Sequence, residues 1–401
     1  MRQLNVAVLF DSHTPTDGGS FSLISSILEG FISARNETKH NIILISVGKQ
    51  KNSSADLLFK PTSKFIRFIG NLLFSRNGRF ANIWQSKSKL ARFLCRHQID
   101  IVYFLGVPVE ITNVPFIMNV WDLQHRTHPW FPELSKEKYW QDTHDYYRKH
   151  LPRALGVITG TRQGRDEITQ FYGVDKRNIY LIPHVISELP ELDTSDARML
   201  RTGSYLYPAN FWAHKNHNLI IQAVKILKDS RNLTVNVTFI GDDKGNLSYI
   251  KNCIEENGLA NQIKCLGFVS NDVKAKMYSL SKGLIYASFS GPENLPPLEA
   301  FSAGIPVIYS EFPGAKEQLG DLPFYFDPLN PLSLAQAIEL VENQSESERF
   351  NLVREQKNFV ETKQPSDFAT MFFDVISNIE FAIRAGNSRI FYKFKAFISL
   401  R

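Results

Sequence analysis

Gly291-Pro292-Glu293-Asn294-Leu295-Pro296-Pro297-Leu298-Glu299-Ala300-Phe301-Ser302-Ala303-Gly304-Ile305-Pro306-Val307-Ile308 reads as loop, helix and strand in succession. Pro296 and Pro297 fit the first turn of a helix, where an N–H would have no intrahelical acceptor, and Gly304 ahead of Pro306 ends it after about two turns. The helix start is therefore fixed near Leu295. Backbone N–H groups at and just before that start, those of Asn294 and Leu295, can point at an anion, with the helix dipole adding attraction. Glu299, one turn in, is placed to accept hydrogen bonds from ligand hydroxyls. It is equally a favourable acid for a first helical turn.

Outward from this stretch, short runs rich in Val, Ile, Phe and Tyr recur with helix-like segments between them, the pattern of βαβ units and parallel sheets. In the first half the runs are 4–10, 41–47, 99–105, 115–121, 155–161 and 178–184; in the second, 204–210, 235–241, 263–269, 283–289, 306–312 and 323–328. Six and six predict an α/β chain of two doubly wound, Rossmann-like domains facing across a cleft. The acid- and proline-bearing stretch from Ser187 to Gly203 is the linker candidate. The predicted division is residues 1–188, 189–375 and a terminal helix with a basic tail at 376–401, which packs back on the first domain or touches a membrane. At 401 residues with 43% apolar side chains, the chain has material for two such cores and is no small staple-dependent module.

Ligands of open α/β sheets sit beyond the carboxyl ends of the strands, so chemistry is expected in loops just after strands. Asn210-Phe211-Trp212-Ala213-His214-Lys215-Asn216-His217 is one such loop. There Lys215 offers a flexible point charge to an anion or is a solvated side chain at a helix start, while His214 and His217 are ligand, capping or packing groups. Asp17-Gly18-Gly19-Ser20 follows the first run and permits close backbone approach to a ligand, or simply a turn. Asp122 and His125, after the fourth run, are candidates for holding hydroxyls at the cleft mouth or for satisfying a turn. Asp242 and Asp243 end a strand without a further carboxylate cluster, so no metal is predicted. The three-glycine dinucleotide fingerprint is missing, which argues against an NAD or FAD enzyme.

Forty-six Lys plus Arg against forty Asp plus Glu give +6. The excess sits between Leu57 and Ile99, where Lys60, Lys64, Arg67, Arg76, Arg79, Lys87, Lys89, Arg92 and Arg96 occur without an acid and alternate with aromatic and aliphatic residues. That suits an anionic lipid surface or anionic acceptor, or a solvated basic face. No nucleic-acid-binding motif accompanies the charge. Cys95, Cys253 and Cys265 are odd in number and widely spaced, reading as reduced core thiols of a cytoplasmic protein. The opening apolar run, residues 4–10, is too short for a membrane span, and no cleavage site follows it.

Taken together, the chain resembles the retaining GT-B nucleotide-sugar glycosyltransferases of family 4. The resemblance covers most of the chain and is strongest over Leu295–Ala300, Gly304–Ile308, Gly314-Ala315-Lys316-Glu317-Gln318-Leu319-Gly320 and Asp327-Pro328. Phe211–His217 is similar to the family's diphosphate-lysine loop. Thr159-Gly160-Thr161, Ile182-Pro183 and the early double glycine add to it. The resemblance implies that Lys215 binds the donor diphosphate and Glu299 the donor ribose, with Asn294 and Leu295 giving backbone contacts.

Three positions depart from the family's pattern. Gly291 stands where a Glu is common, with Glu293 two residues away; Asn210 stands for a phosphate-binding Arg, and Trp121 for a His. The implied function is transfer of a sugar, with retention and without a metal or cofactor, from a nucleoside diphosphate sugar to a growing surface glycan or lipid-linked acceptor. An anionic membrane surface at the inner face is a further implied partner. Lys215, Glu293, Asp122 and His125 are the catalytic candidates; Asn210, His214, Lys215, Asn294, Leu295, Glu299, Gly18 and Gly19 are the donor-binding candidates. A non-catalytic sugar-nucleotide or glycan-binding protein, or a nucleotide-sugar epimerase of the same architecture, are the alternatives.

Overall fold

A computed structural model describes residues 3–11, 19–48, 51–61, 89–107, 114–135, 138–187, 203–291 and 293–384. Two parallel sheets organise them. The first holds β1 (Asn5–Asp11), β2 (Asn41–Val47), β3 (Leu57–Phe59), β4 (Ile101–Leu105), β5 (Phe116–Asn119), β6 (Gly156–Thr159) and β7 (Ile179–Leu181), in the order β3-β2-β1-β4-β5-β6-β7. The second holds β8 (Ser204–Pro208), β9 (Asn236–Ile240), β10 (Ile263–Gly267), β11 (Gly283–Tyr286), β12 (Val307–Ser310) and β13 (Phe324–Phe326), in the order β10-β9-β8-β11-β12-β13. Each predicted run matches one of these strands, β1 reaching one residue past its run. The strand not predicted, β3, is three residues long at a sheet edge, too short to show a period.

The first sheet is buried on both faces, which is why its strands read as continuous apolar runs rather than alternating ones. Side chains still alternate between faces. Val6, Val8 and Phe10 of β1 join Ile101, Tyr103 and Leu105 of β4 in one core. Ala7 and Leu9 join Val102 and Phe104 in the other.

In each sheet the strand order reverses beside the first strand of its domain, between β1 and β4 and between β8 and β11. Loops leaving neighbouring strands at such a point turn to opposite faces of the sheet and leave a crevice at its carboxyl edge. The loops after β8 and β11 contain Lys215 and Asn294, respectively.

The predicted domain break near residue 190 lies in 188–202, outside the described residues. The predicted boundary at 375 falls inside a helix, Pro365–Arg384, because an unbroken apolar face runs through that position. This helix lies on the first domain, against the helix Gly19–Ala34. Phe31 meets Phe372 edge-on at 5.2 Å and Phe368 at 6.4 Å. Gly30 permits the approach, since a Cβ there would come within 1.9 Å of the Pro365 carbonyl oxygen. Lys39 and Glu380 pair at 2.7 Å across the same contact.

Of the basic stretch, Lys60, Lys89, Arg92 and Arg96 are exposed, and the five cations between residues 62 and 88 lie outside the described residues. Cys95 is exposed rather than a core thiol, because it falls on the outer face of the helix Lys89–Arg96; Cys253 is buried and Cys265 half-buried, and all three are free. Among the described residues no helix is long and apolar enough to cross a membrane.

Phe31 is fully buried where the terminal helix meets the first domain. Phe31→Ala is expected to destabilise the protein by about 3–5 kcal/mol in chemical denaturation; a loss below about 1 kcal/mol would show that the terminal helix is not held by this contact.

Candidate functional site

A cavity of about 590 Å³ opens between the two sheets at their carboxyl edges, within the size range of small-molecule sites. Lys215, Glu293, Leu295, Asn294, Glu299, Asn210, His214, Asp122 and Gly19 all line it. Gly18 lies outside the described residues.

The loop after β8 makes the first part of the second-domain wall. Gly241 lets the loops after β8 and β9 meet, since a Cβ there would come within 2.3 Å of the Ala209 carbonyl oxygen. Asn210 Oδ1 accepts from the Asp242 N–H at 2.8 Å, so this amide braces one loop on the other. A short 3₁₀ turn, Ala213–Lys215, follows, capped by Asn216 in the left-handed region. Tyr207 donates its hydroxyl hydrogen bond to the Lys215 carbonyl. The Lys215 amine reaches Tyr286 at the end of β11, donating to its hydroxyl at 3.0 Å. His217 is a packing residue, stacked on Phe211 at 4.6 Å.

The helix Leu295–Ala303 begins where predicted and ends at Gly304 in the left-handed conformation. The predicted anion contact from the Asn294 N–H is not available, because that group is already bonded within the protein. The N–H of Asn294 donates to Gln318 Oε1 at 3.0 Å, while Gln318 Nε2 donates back to the Asn294 carbonyl at 2.8 Å. Asn294 Nδ2 donates to Tyr309 at 2.8 Å. Asn294 is thus the anchor that fixes the helix start, and its N–H is committed within the protein; the Leu295 position remains for an anion. Glu299 accepts from Tyr278 at 2.6 Å and from Lys274 at 2.8 Å, one donor for each carboxylate oxygen. A hydroxyl ligand there would share the carboxylate with Lys274, itself a cavity residue.

Glu293 points at the first domain. Its Oε1 accepts from the His184 N–H at 2.8 Å, and Oε2 lies 3.5 Å from His184 Nε2. Gly160 makes room for it: a Cβ at that position would sit 1.3 Å from Glu293 Oε2. Burial pushes the Glu293 carboxyl up to about 8, against the lowering effects of the His184 N–H and the Lys363 charge and with a small further push from Glu317. Burial also holds His184 down at about 3, so the pair is neutral near pH 7.

On the first-domain wall, Trp121 meets His184 edge-on at 5.3 Å, and Asp122, exposed, accepts from the Gln124 N–H at 3.0 Å. His125, predicted at the cleft mouth, is instead a buried residue, 2% exposed, with its ring bonded to Tyr172 at 2.8 Å and stacked on Tyr147 at 5.7 Å, and it does not line the cavity. Burial lowers it to about 4, leaving a neutral core imidazole. The short helix after β5 turns His125 inward and leaves Asp122 outside.

Glu133, His184, Lys274 and Tyr286 line the cavity without having been singled out in the sequence. Lys274 had a signal, the first turn of a helix shortly after β10. His184 had one too, its place just after β7, whereas Glu133 had none because it acts against the other domain. Asp242 pairs with Lys244 at 2.5 Å, and Asp243 accepts from the Gly245 N–H at 2.7 Å. Among the described residues no three His, Cys, Asp or Glu side chains are grouped to hold a metal.

A carboxyl that titrates higher in the folded than in the unfolded protein supports folding below its ordinary value and loses that support as pH rises through its folded value. For Glu293 the window runs from the ordinary carboxylate range to about 8. Thermal melts of wild type and Glu293→Gln are therefore expected to converge near pH 5, with the variant melting higher at pH 9. A constant difference across that range would mean Glu293 is ionised in the folded protein at neutral pH.

Residues 202–359 match the family model Glycosyl transferases group 1. The chain is 26% identical over 215 residues to the O-antigen chain mannosyltransferase RfbU of Salmonella typhimurium, covering 53% of this chain and 59% of that protein. It therefore spans under two thirds of that relative's length. Among solved structures it is similar to a glycosyltransferase from Rickettsia africae, with a TM-score of 0.69, 16% identity and coverage of 96% and 99% of the two chains. It is also similar to HepE of Anabaena, solved in complex with UDP and glucose, with a TM-score of 0.65, 14% identity and coverage of 94% and 100%. The chain has the GT-B fold, and the sequence resemblance to GT-B glycosyltransferases is borne out at that level.

Proposed function

We propose that this protein is a retaining, metal-independent glycosyltransferase of family 4 that moves a sugar from a nucleoside diphosphate sugar to a growing surface glycan or lipid-linked acceptor. The observation that carries this reading is the meeting of the Lys215 loop, the helix start at Leu295 and Glu299 on one interdomain cavity. The match of the second domain to a glycosyltransferase family, the UDP and glucose bound by HepE and the O-antigen role in RfbU's name support it.

In this mechanism the bond between the sugar's anomeric carbon and the diphosphate oxygen breaks, its electron pair leaving with the diphosphate. The acceptor hydroxyl attacks from the same face and gives its proton to the leaving phosphate oxygen, so that no separate protein base is required. Lys215 and the dipole of the helix at Leu295 stabilise the charge that develops there. These two elements supply the positive charge that a bound cation would otherwise bring. Glu299 holds the donor ribose together with Lys274. Glu293, protonated and turned to His184, serves the interdomain contact rather than the donor sugar. Asp122 and Trp121 border the acceptor side. The acceptor is lipid-linked in this reading, and the acid-free basic stretch of the first domain holds the protein peripherally at the inner face of the membrane.

Lys215→Ala is expected to cut transfer about 100-fold, corresponding to ~3 kcal/mol of barrier, while the melting temperature stays within a few degrees of wild type. Donors based on UDP, GDP and dTDP are assayed with a panel of glycan acceptors. Near-normal turnover in the variant would remove Lys215 from its role.

A further inference from the structure

The loop that carries Lys215 is held from both sides of the cleft. On its own side, the His214 carbonyl accepts from the Phe289 N–H at 3.0 Å and the Lys215 carbonyl from Tyr207. From the first domain comes Glu133, in the short helix Pro132–Ser135. Its Oε1 accepts from the His214 backbone N–H at 3.0 Å and from the ring Nδ1–H at 2.5 Å. Phe131, two residues earlier, packs its ring 6.0 Å from the ring of His214 and 5.5 Å from that of Phe289. Both polar side chains are largely shielded, 8% exposed for Glu133 and 11% for His214.

The protonation states agree with this grip. Burial pushes Glu133 up, but the hydrogen bonds from the His214 side chain and backbone outweigh it and hold the carboxyl below its ordinary value. Burial lowers His214, offset in part by Glu133 and reinforced by Lys215. An ionised carboxylate therefore receives two hydrogen bonds from a neutral histidine, and a charge-assisted pair of this kind is stronger than a neutral one. Among the described residues, Glu133 is the first-domain side chain that hydrogen-bonds this loop.

We propose that Glu133 is a positioning residue that acts through Lys215: by gripping His214 from the first domain, it makes placement of the diphosphate-binding amine depend on closure of the cleft. This rests on the reading of Lys215 as the diphosphate ligand. The arrangement has a chemical use. A leaving-group cation assembled only when both domains meet stabilises diphosphate departure once the acceptor side is in place and water is excluded, which suppresses hydrolysis of the donor. The single peptide unit between His214 and Lys215 transmits the constraint.

The test is a double-mutant cycle read by calorimetric titration with UDP and with GDP, using wild type, Glu133→Ala, Lys215→Ala and the double variant. Glu133→Ala is expected to raise the Kd for the bound nucleotide about tenfold. In the Lys215→Ala background the same change is expected to have no further effect beyond about twofold. Glu133→Gln, which keeps one acceptor oxygen but loses the charge, should fall between Glu133→Ala and wild type. Wild-type affinity in Glu133→Ala, or losses that multiply in the double variant, would overturn the proposal, since a merely structural role would weaken binding whether or not Lys215 is present. Wild-type protein that binds neither nucleotide would remove the reading of the site itself, and the proposal with it.

Discussion

Positive charge at the carboxyl edge of the second sheet is the constraint on which the rest of the site depends. It has two sources, the Lys215 amine and the start of the helix Leu295–Ala303, and the sheet brings them together because β8 and β11 are neighbours across its point of reversal. Each is also fixed from behind, by groups of residues that do not line the cavity. Tyr207 and Phe289 hold the backbone on either side of Lys215, and Gln318 and Tyr309 hold Asn294. An anion entering the crevice therefore meets two sources of positive charge whose backbone is already fixed, which favours electrostatic stabilisation.

The two domains meet through carboxylates in different protonation states. Glu133 is ionised and takes two hydrogen bonds from His214, while Glu293 is buried, holds its proton near neutral pH and takes one from the His184 N–H. Glu317, from the second domain, accepts from the Arg162 N–H at 2.6 Å and caps the start of the helix Arg162–Tyr172, where a negative charge meets the positive end of the helix dipole. These contacts join loops at the rim of the cavity to the opposite sheet. The loops around the cavity are thereby tied across the two domains by hydrogen bonds as well as by apolar contacts such as Phe131 against Phe289.

The doubly wound architecture was legible because parallel strands buried on both faces leave unbroken apolar runs, and each predicted run matches a strand. β3 escaped because three edge residues carry no period. The helix start at Leu295 was legible from Pro296, Pro297 and Gly304, whose backbone demands are local. What a side chain faces was not. His125 follows β5 as a cleft residue would, yet its partners Tyr147 and Tyr172 come from distant helices and draw it into the core. Glu293 is two residues from the position where the family pattern has a Glu, and its direction is set by Gly160 and His184 in the other domain. The commitment of the Asn294 N–H depends on Gln318, within a quoted motif but with no signal of its role. Local rules thus placed the backbone, and long-range partners decided the chemistry.

The most direct measurement is a crystal structure of the protein with bound UDP or GDP, whichever binds in solution. The account predicts diphosphate oxygens at hydrogen-bond distance, about 2.7–3.2 Å, from both the Lys215 amine and the Leu295 N–H, with the ribose at Glu299. A nucleotide seated elsewhere, or a diphosphate in the cavity with the Lys215 amine still turned to Tyr286, would contradict it.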